Sequence, residues 1–88
     1  MQYYLYIVRS KDNSLYTGIT NNVVRRVHEH NKTSRGAKAL RGKLPVNLVY
    51  SQVYKSKSQA LKREHEIKNW NKDKKEDLVS AGVVSAKG

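Results

Sequence analysis

Residues 3–20 read Tyr-Tyr-Leu-Tyr-Ile-Val-Arg-Ser-Lys-Asp-Asn-Ser-Leu-Tyr-Thr-Gly-Ile-Thr, and they decide the fold. Tyr3 to Arg9 is a run of β-branched and aromatic residues that reads as a strand. Lys11-Asp12-Asn13-Ser14 is turn chemistry, because Asp and Asn tolerate left-handed backbone and bond their own main chain. Leu15 to Thr20 reads as a second strand, so the stretch is a hairpin. Loop parity then matters. A turn of two or four residues puts Tyr6 and Tyr16 on opposite faces, whereas an odd loop or a bulge puts them on the same one. Gly18, without a side chain in mid-strand, marks a bulge or the close approach of another group.

Outward from the hairpin, Thr20, Asn21 and Asn22 are N-cap candidates for a helix running to about Asn31. Residues 32–43 hold Lys32, Arg35, Lys38, Arg41 and Lys43 with no acid, and a short helix is expected around Gly36 to Leu40. Leu44 to Tyr54 reads as the third strand, with Pro45 at its start or on an edge, where no ladder N–H is missed. Ser56 with Gln59 forms a capping box opening a helix to about Trp70. Asp73 with Glu76 repeats that signature for a last helix to Ala81, with Gly82 as its C-cap. The order β-β-α-(α)-β-α-α is α+β: a small three-stranded antiparallel sheet flanked by helices. Residues 1–82 are expected to form one domain and 83–88 a frayed tail.

Composition bounds the function. The 88 residues carry 18 Lys and Arg against 7 Asp and Glu, a formal net charge of +11. An excess of this size attracts polyanions, and nucleic acid is the expected partner. The absence of cysteine excludes disulfides, thiolate catalysis and cysteine-bound metals. No apolar run approaches the ~18 residues of a membrane span, and the N-terminus lacks signal-peptide order, so a cytoplasmic location is expected. Neither a Ser-His-Asp arrangement, nor a His-Glu-x-x-His metal box, nor a phosphate-cradling glycine loop is present.

Helical phase singles out three polar residues. On the helix from Lys57, the residues Ala60, Leu61 and Ile67 define the inward stripe and Glu64 falls in its middle, while Glu66 points away. A carboxylate there is costly unless it reaches the stripe's edge, meets a basic side chain or holds a metal. On the first helix Val23, Val24 and Val27 set the buried stripe, with Arg26 and His30 together on one flank. Taken singly, a surface Arg, a surface His and packed strand tyrosines are ordinary features.

Taken together, Tyr4-Leu5-Tyr6, Tyr16-Thr17-Gly18, Arg26 with His30-Asn31, and Glu64 resemble the GIY-YIG nuclease superfamily over residues 3 to about 71. The likeness is to its small, standalone, single-domain bacterial branch of unassigned role. The resemblance implies metal-dependent cleavage of DNA phosphodiesters with one Mg²⁺ or Mn²⁺ ion. It makes Tyr6, Tyr16, Arg26 and His30 the catalytic side chains, with Glu64 both catalytic and the metal-binding residue. Lys32, Arg35, Lys38, Arg41 and Lys43 are then expected to hold the strand by its phosphates, DNA rather than RNA. Three departures stand out: Tyr4 replaces the first motif's glycine, Thr17 replaces the second motif's isoleucine, and the Asn usual beyond the Glu is missing. Asn71, on the face of Glu64, is a candidate stand-in. No second DNA-recognising domain fits in this length, so sequence specificity is expected to need a protein partner. A non-cleaving nucleic-acid-binding module and a basic adaptor protein are the competing readings. The five site residues are expected to line one shallow basic groove.

Overall fold

The computed structural model describes residues 2–32 and 42–81. Arg35, Lys38, Arg41, the short helix expected around Gly36 to Leu40, Gly82 and residues 83–88 lie outside the described residues. The elements run β1 (Tyr3–Arg9), β2 (Leu15–Thr20), α1 (Val23–Lys32), β3 (Asn47–Tyr54), α2 (Lys57–Lys68) and α3 (Lys72–Ala81). The three strands form one antiparallel sheet in the order β2-β1-β3. The expected α+β class is what folds.

The hairpin loop is odd. Arg9 pairs with Leu15, leaving Ser10 to Ser14 as the turn. Asp12 organises it: one carboxylate oxygen accepts from the Ser10 hydroxyl at 2.6 Å, the Ser14 hydroxyl at 2.6 Å and the Ser14 N–H at 3.1 Å. Asn13 takes the left-handed conformation, φ 72°. Val8 therefore stands opposite Tyr16 and Tyr6 opposite Gly18, which puts both tyrosines on one face.

Each face of the sheet has its own cover. Leu5, Ile7 and Tyr50 pack with Ile67 of α2, joined by Leu78 and Val79 of α3. Tyr6 and Val8 pack on the opposite face with Val46, against Val23 and Val27 of α1. Thr17, opposite Ile7 and only 3% exposed, has no hydrogen-bond partner for its hydroxyl among the described residues. Burying a hydroxyl without a partner costs about 1–3 kcal/mol. Thr17→Val keeps the shape and removes the polar atom. It is expected to raise the thermal midpoint by roughly 4–8 °C for each kcal/mol recovered, and an unchanged or lower midpoint in a calorimetric melt would contradict this.

Capping explains most helix boundaries. Asn22 Oδ1 accepts from the Arg25 N–H at 2.9 Å to open α1, and Ser56 Oγ accepts from the Gln59 N–H at 3.2 Å to open α2. α2 ends at Lys68 with Asn69 as its C-cap, two residues short of Trp70. α3 opens two residues earlier than a cap at Asp73 would place it. Asn71, not Asp73, is its cap, with Oδ1 accepting from the Lys74 N–H at 2.9 Å. Glu76 consequently has no box to close and instead takes both guanidinium nitrogens of Arg9 at 2.7 Å, tying α3 to the end of β1.

Three expectations about the core and strands are corrected. Val24 is 82% exposed and Leu61 44% exposed. The true inward stripes are 23, 26, 27, 30 on α1 and 60, 64, 67 on α2, the same helical period with a polar residue where a third apolar one was assumed. β3 begins at Asn47 rather than Leu44 because the Asn31 side chain occupies both backbone groups of Val46. Its Nδ2 donates to the Val46 carbonyl at 3.1 Å and its Oδ1 accepts from the Val46 N–H at 2.7 Å.

Candidate active site

The face under α1 places its aromatic residues by an unusual route. Tyr6 projects from β1 and lies across Gly18 of the outer strand β2. A Cβ built on Gly18 would stand 2.7 Å from the Tyr6 hydroxyl and 2.8 Å from Cζ. Gly18 is therefore the close approach that a mid-strand glycine signals, and the phenol reaches toward the β2 edge. His30, from the last turn of α1, meets it there: the Tyr6 hydroxyl and His30 Nε2 share a hydrogen bond of 2.8 Å. Tyr16 completes an aromatic triangle, its ring centroid 6.4 Å from Tyr6 and 5.5 Å from His30. The last contact is edge-on, an arrangement favoured by the ring quadrupoles.

Arg26 stands one turn before His30 on the same stripe. Its Nη1 donates to Glu29 Oε1 at 3.0 Å, which orients the guanidinium, and the guanidinium is near enough to the Tyr6 phenol to favour its ionised form. Glu64 enters from α2. Its side chain is 17% exposed, and it pairs with Lys68 Nζ at 3.1 Å. That ammonium faces the Tyr16 ring at 5.9 Å, and the Glu64 charge is felt at Tyr6. The basic side chain considered for Glu64 in the sequence is thus its neighbour one helical turn on, at the same cluster. Tyr6, Tyr16, Arg26, His30 and Glu64 come together from the hairpin and two helices. They do not all line an open groove, since Tyr6 and His30 are each 1% exposed, whereas Tyr16, Arg26 and Glu64 remain partly open to solvent.

Burial sets the protonation states. Desolvation pushes the Tyr6 phenol up to about 12, with the Arg26 guanidinium pulling the other way. Desolvation, aided by the Arg26 charge, pushes the His30 imidazole below its ordinary value of 6.5. Both groups are neutral at pH 7. The stability consequences have opposite signs. The folded state holds the Tyr6 proton more tightly than the unfolded chain, so this contribution is intact below pH 10 and lost as pH rises from 10 toward 12. The folded state resists protonating His30, so that contribution is present above pH 6.5 and lost as pH falls. A shift of about two units corresponds to roughly 2–3 kcal/mol at the alkaline end. Urea midpoints measured against pH are expected to fall on both sides of a plateau, with Tyr6→Phe abolishing most of the alkaline fall. An identical alkaline limb in that variant would contradict the assignment.

Not every sequence candidate joins this cluster. Asn71 caps α3 and uses its side-chain oxygen there. Lys32 is exposed at the end of α1, and Lys43 pairs with Asp12 beside the hairpin turn at 3.5 Å. Asn31 is a positioning residue to which sequence reasoning gave no role beyond the motif, and Gly18 is one whose close approach was expected without Tyr6 being named as the group. A mid-strand glycine one pairing from a tyrosine was the available signal for Gly18, whereas nothing local announces that Asn31 will clamp residue 46.

The donor set admits a hard divalent ion. Among the described residues no group of three or more His, Asp or Glu could hold a metal. One half-buried carboxylate is nevertheless the minimum that Mg²⁺ uses, since it retains water and takes further oxygens from a substrate phosphate. Glu64 fits that pattern.

Residues 2–77 match the GIY-YIG catalytic domain. The chain belongs to the GIY-YIG family. Similar GIY-YIG relatives include a UPF0213 protein of Haloquadratum walsbyi, 50% identical over 81 residues that cover 92% of this chain and 90% of the relative. A UPF0213 protein of Staphylococcus saprophyticus is 46% identical over 92% of this chain and 98% of its own length. The solution NMR structure of a UPF0213 protein from Bacillus halodurans has the same fold, with TM-score 0.60 and 43% identity, covering 92% of this chain and 85% of that one. This is a nuclease family with a general link to nucleic acid, and the relatives named here bear a designation that assigns no role. No helix among the described residues is long and apolar enough to cross a membrane.

Proposed function

We propose that this GIY-YIG domain is a divalent-metal-dependent endonuclease that hydrolyses DNA phosphodiesters with weak sequence preference. The observation that supports it is the buried Tyr6–His30 hydrogen bond, with the charges of Arg26 and Glu64 both felt at the Tyr6 phenol. Glu64 holds one Mg²⁺ or Mn²⁺ ion, which when bound supplies Lewis-acid polarisation of the phosphate and stabilises the leaving oxygen. Arg26, steadied by Glu29, faces the charge that grows on the phosphate oxygens. Tyr6 takes the proton of the attacking water as its own passes to His30 Nε2, which is kept neutral and able to accept. Tyr16, more open to solvent, orients that water. The phenol's pKa near 12 is the cost of its burial, and the guanidinium beside it brings proton transfer within reach.

Basic side chains, including Lys32, Arg35, Lys38, Arg41 and Lys43, grip the strand through its phosphates, and specificity comes from DNA structure or a protein partner. Incubating the purified protein with supercoiled plasmid and branched DNA, with and without Mn²⁺, tests the proposal. Metal-dependent nicking is expected. Its absence on both substrates, with tight binding retained, would favour a non-cleaving nucleic-acid-binding module. In the same preparation, log affinity for DNA should fall against log salt with a slope of roughly −4 to −5 if four to six basic residues touch phosphate. A flat response would leave the adaptor reading.

A further inference from the structure

Lys68 stands four residues beyond Glu64 on α2, with its ammonium 3.1 Å from a Glu64 carboxylate oxygen. The same ammonium lies over the Tyr16 ring, 5.9 Å from the centroid. One cation therefore sits between the carboxylate and one of the two site tyrosines. We propose that Lys68 is the resident counter-cation of Glu64, competing with a divalent ion for that carboxylate and so setting the ion concentration at which the site loads. The inference rests on the reading of Glu64 as the residue that holds the ion.

The argument is electrostatic. A site with a single carboxylate offers an incoming ion one unit of negative charge, and here the Lys68 ammonium already neutralises it. A divalent cation must either displace the ammonium or share the carboxylate with a positive neighbour a few ångströms away. Displacement is easy. The Lys68 side chain is half-exposed, its stem is flexible, and i,i+4 pairs of this kind are weak in water. Arg26 is not the competitor, because its guanidinium is engaged by Glu29 at 3.0 Å. Competition of this strength tunes affinity without closing the site, and it leaves a freed ammonium beside the Tyr16 ring when the ion is bound.

Calorimetric titration of the full chain with MnCl₂ at fixed ionic strength tests this without any turnover. The variants are Lys68→Met, which keeps the apolar stem against Tyr16, Lys68→Arg, which keeps the charge, and Glu64→Gln. The Mn²⁺ dissociation constant of Lys68→Met is expected to be roughly 3- to 10-fold lower than the parent's, from loss of the competing charge. Lys68→Arg should stay near the parent, and Glu64→Gln should lose the site. Lys68 lies exposed on the helix, so the variants are expected to melt as the parent does. Parent binding with an equal or weaker Lys68→Met would overturn the role of Lys68 alone. Parent binding that survives in Glu64→Gln, or no Mn²⁺ uptake by the parent or Lys68→Met, would overturn the ion-holding role of Glu64 and the competition with it.

Discussion

Glu64→Gln is expected to lower Mn²⁺-supported nicking by about 10²- to 10³-fold while leaving the fold in place, and Arg26→Ala to do the same through a different loss. The two effects have separate origins. Gln matches Glu in shape but removes a charge from α2 that the Tyr6 phenol feels. The price in stability is small, because the Glu64–Lys68 pair it breaks is half-exposed and worth only about 0–1 kcal/mol. Arg26→Ala removes the guanidinium whose charge acts on Tyr6 and takes from Glu29 its 3.0 Å ion pair, while the longer contact to Arg25 at 3.9 Å stays. Lysine at position 26 should recover little, since a point charge cannot reach the phenol, Glu29 and a phosphate oxygen with one planar fork. Single-turnover nicking of supercoiled plasmid, beside a melt of each variant, reads both. Parent-like cutting by Glu64→Gln would mark the activity as a contaminant's.

The sheet and its site were legible in the sequence where a residue's role depended on local chemistry. Asp12 and Asn13 encode the turn, Ser56 and Asn22 encode helix starts, and the parity of the loop decides whether Tyr6 and Tyr16 meet. Glu64 was legible as a carboxylate on a helix face that should be apolar. Long-range choices were not legible. Val24 turns outward because Arg26 and His30 take the inward positions, and a phase count anchored on valines cannot see that a histidine will be the most buried residue of α1. The Asn31 clamp on Val46 and the Arg9–Glu76 pair join residues 15 and 67 positions apart, and neither leaves a local signature. Asn71 illustrates a conflict between two roles. It had been a candidate for the site by helical phase, but the chain ends α2 before it and begins α3 just after, so the same amide caps a helix.

Gly18 offers the strongest test of how the site is built, because the cluster depends there on an absent side chain. Gly18→Ala should cost about 2 kcal/mol, lowering the melting midpoint by roughly 8–16 °C. A methyl group at this position would stand 2.7 Å from the Tyr6 hydroxyl, 2.8 Å from Cζ and 3.0 Å from Cε1. The ring has little freedom to yield, being 1% exposed and tied to His30 at 2.8 Å. Moving it breaks that hydrogen bond, and keeping it forces β1 and β2 apart where they pair. Alanine's lower unfolded-state entropy offsets only about 0.4–1 kcal/mol of the loss. Nicking should fall by roughly 10- to 100-fold in the fraction still folded, since an ångström's displacement of a reacting group has that effect. Tyr6→Leu separates the contact from any general intolerance of a side chain in β2. In that background Gly18→Ala should cost less than about 0.5 kcal/mol, a coupling large enough to read in a double-mutant cycle. Tyr6→Phe should relieve little, because Cζ and Cε1 remain in the way. Equal costs of Gly18→Ala with and without the Tyr6 ring would mean that the glycine serves the strand and not the site.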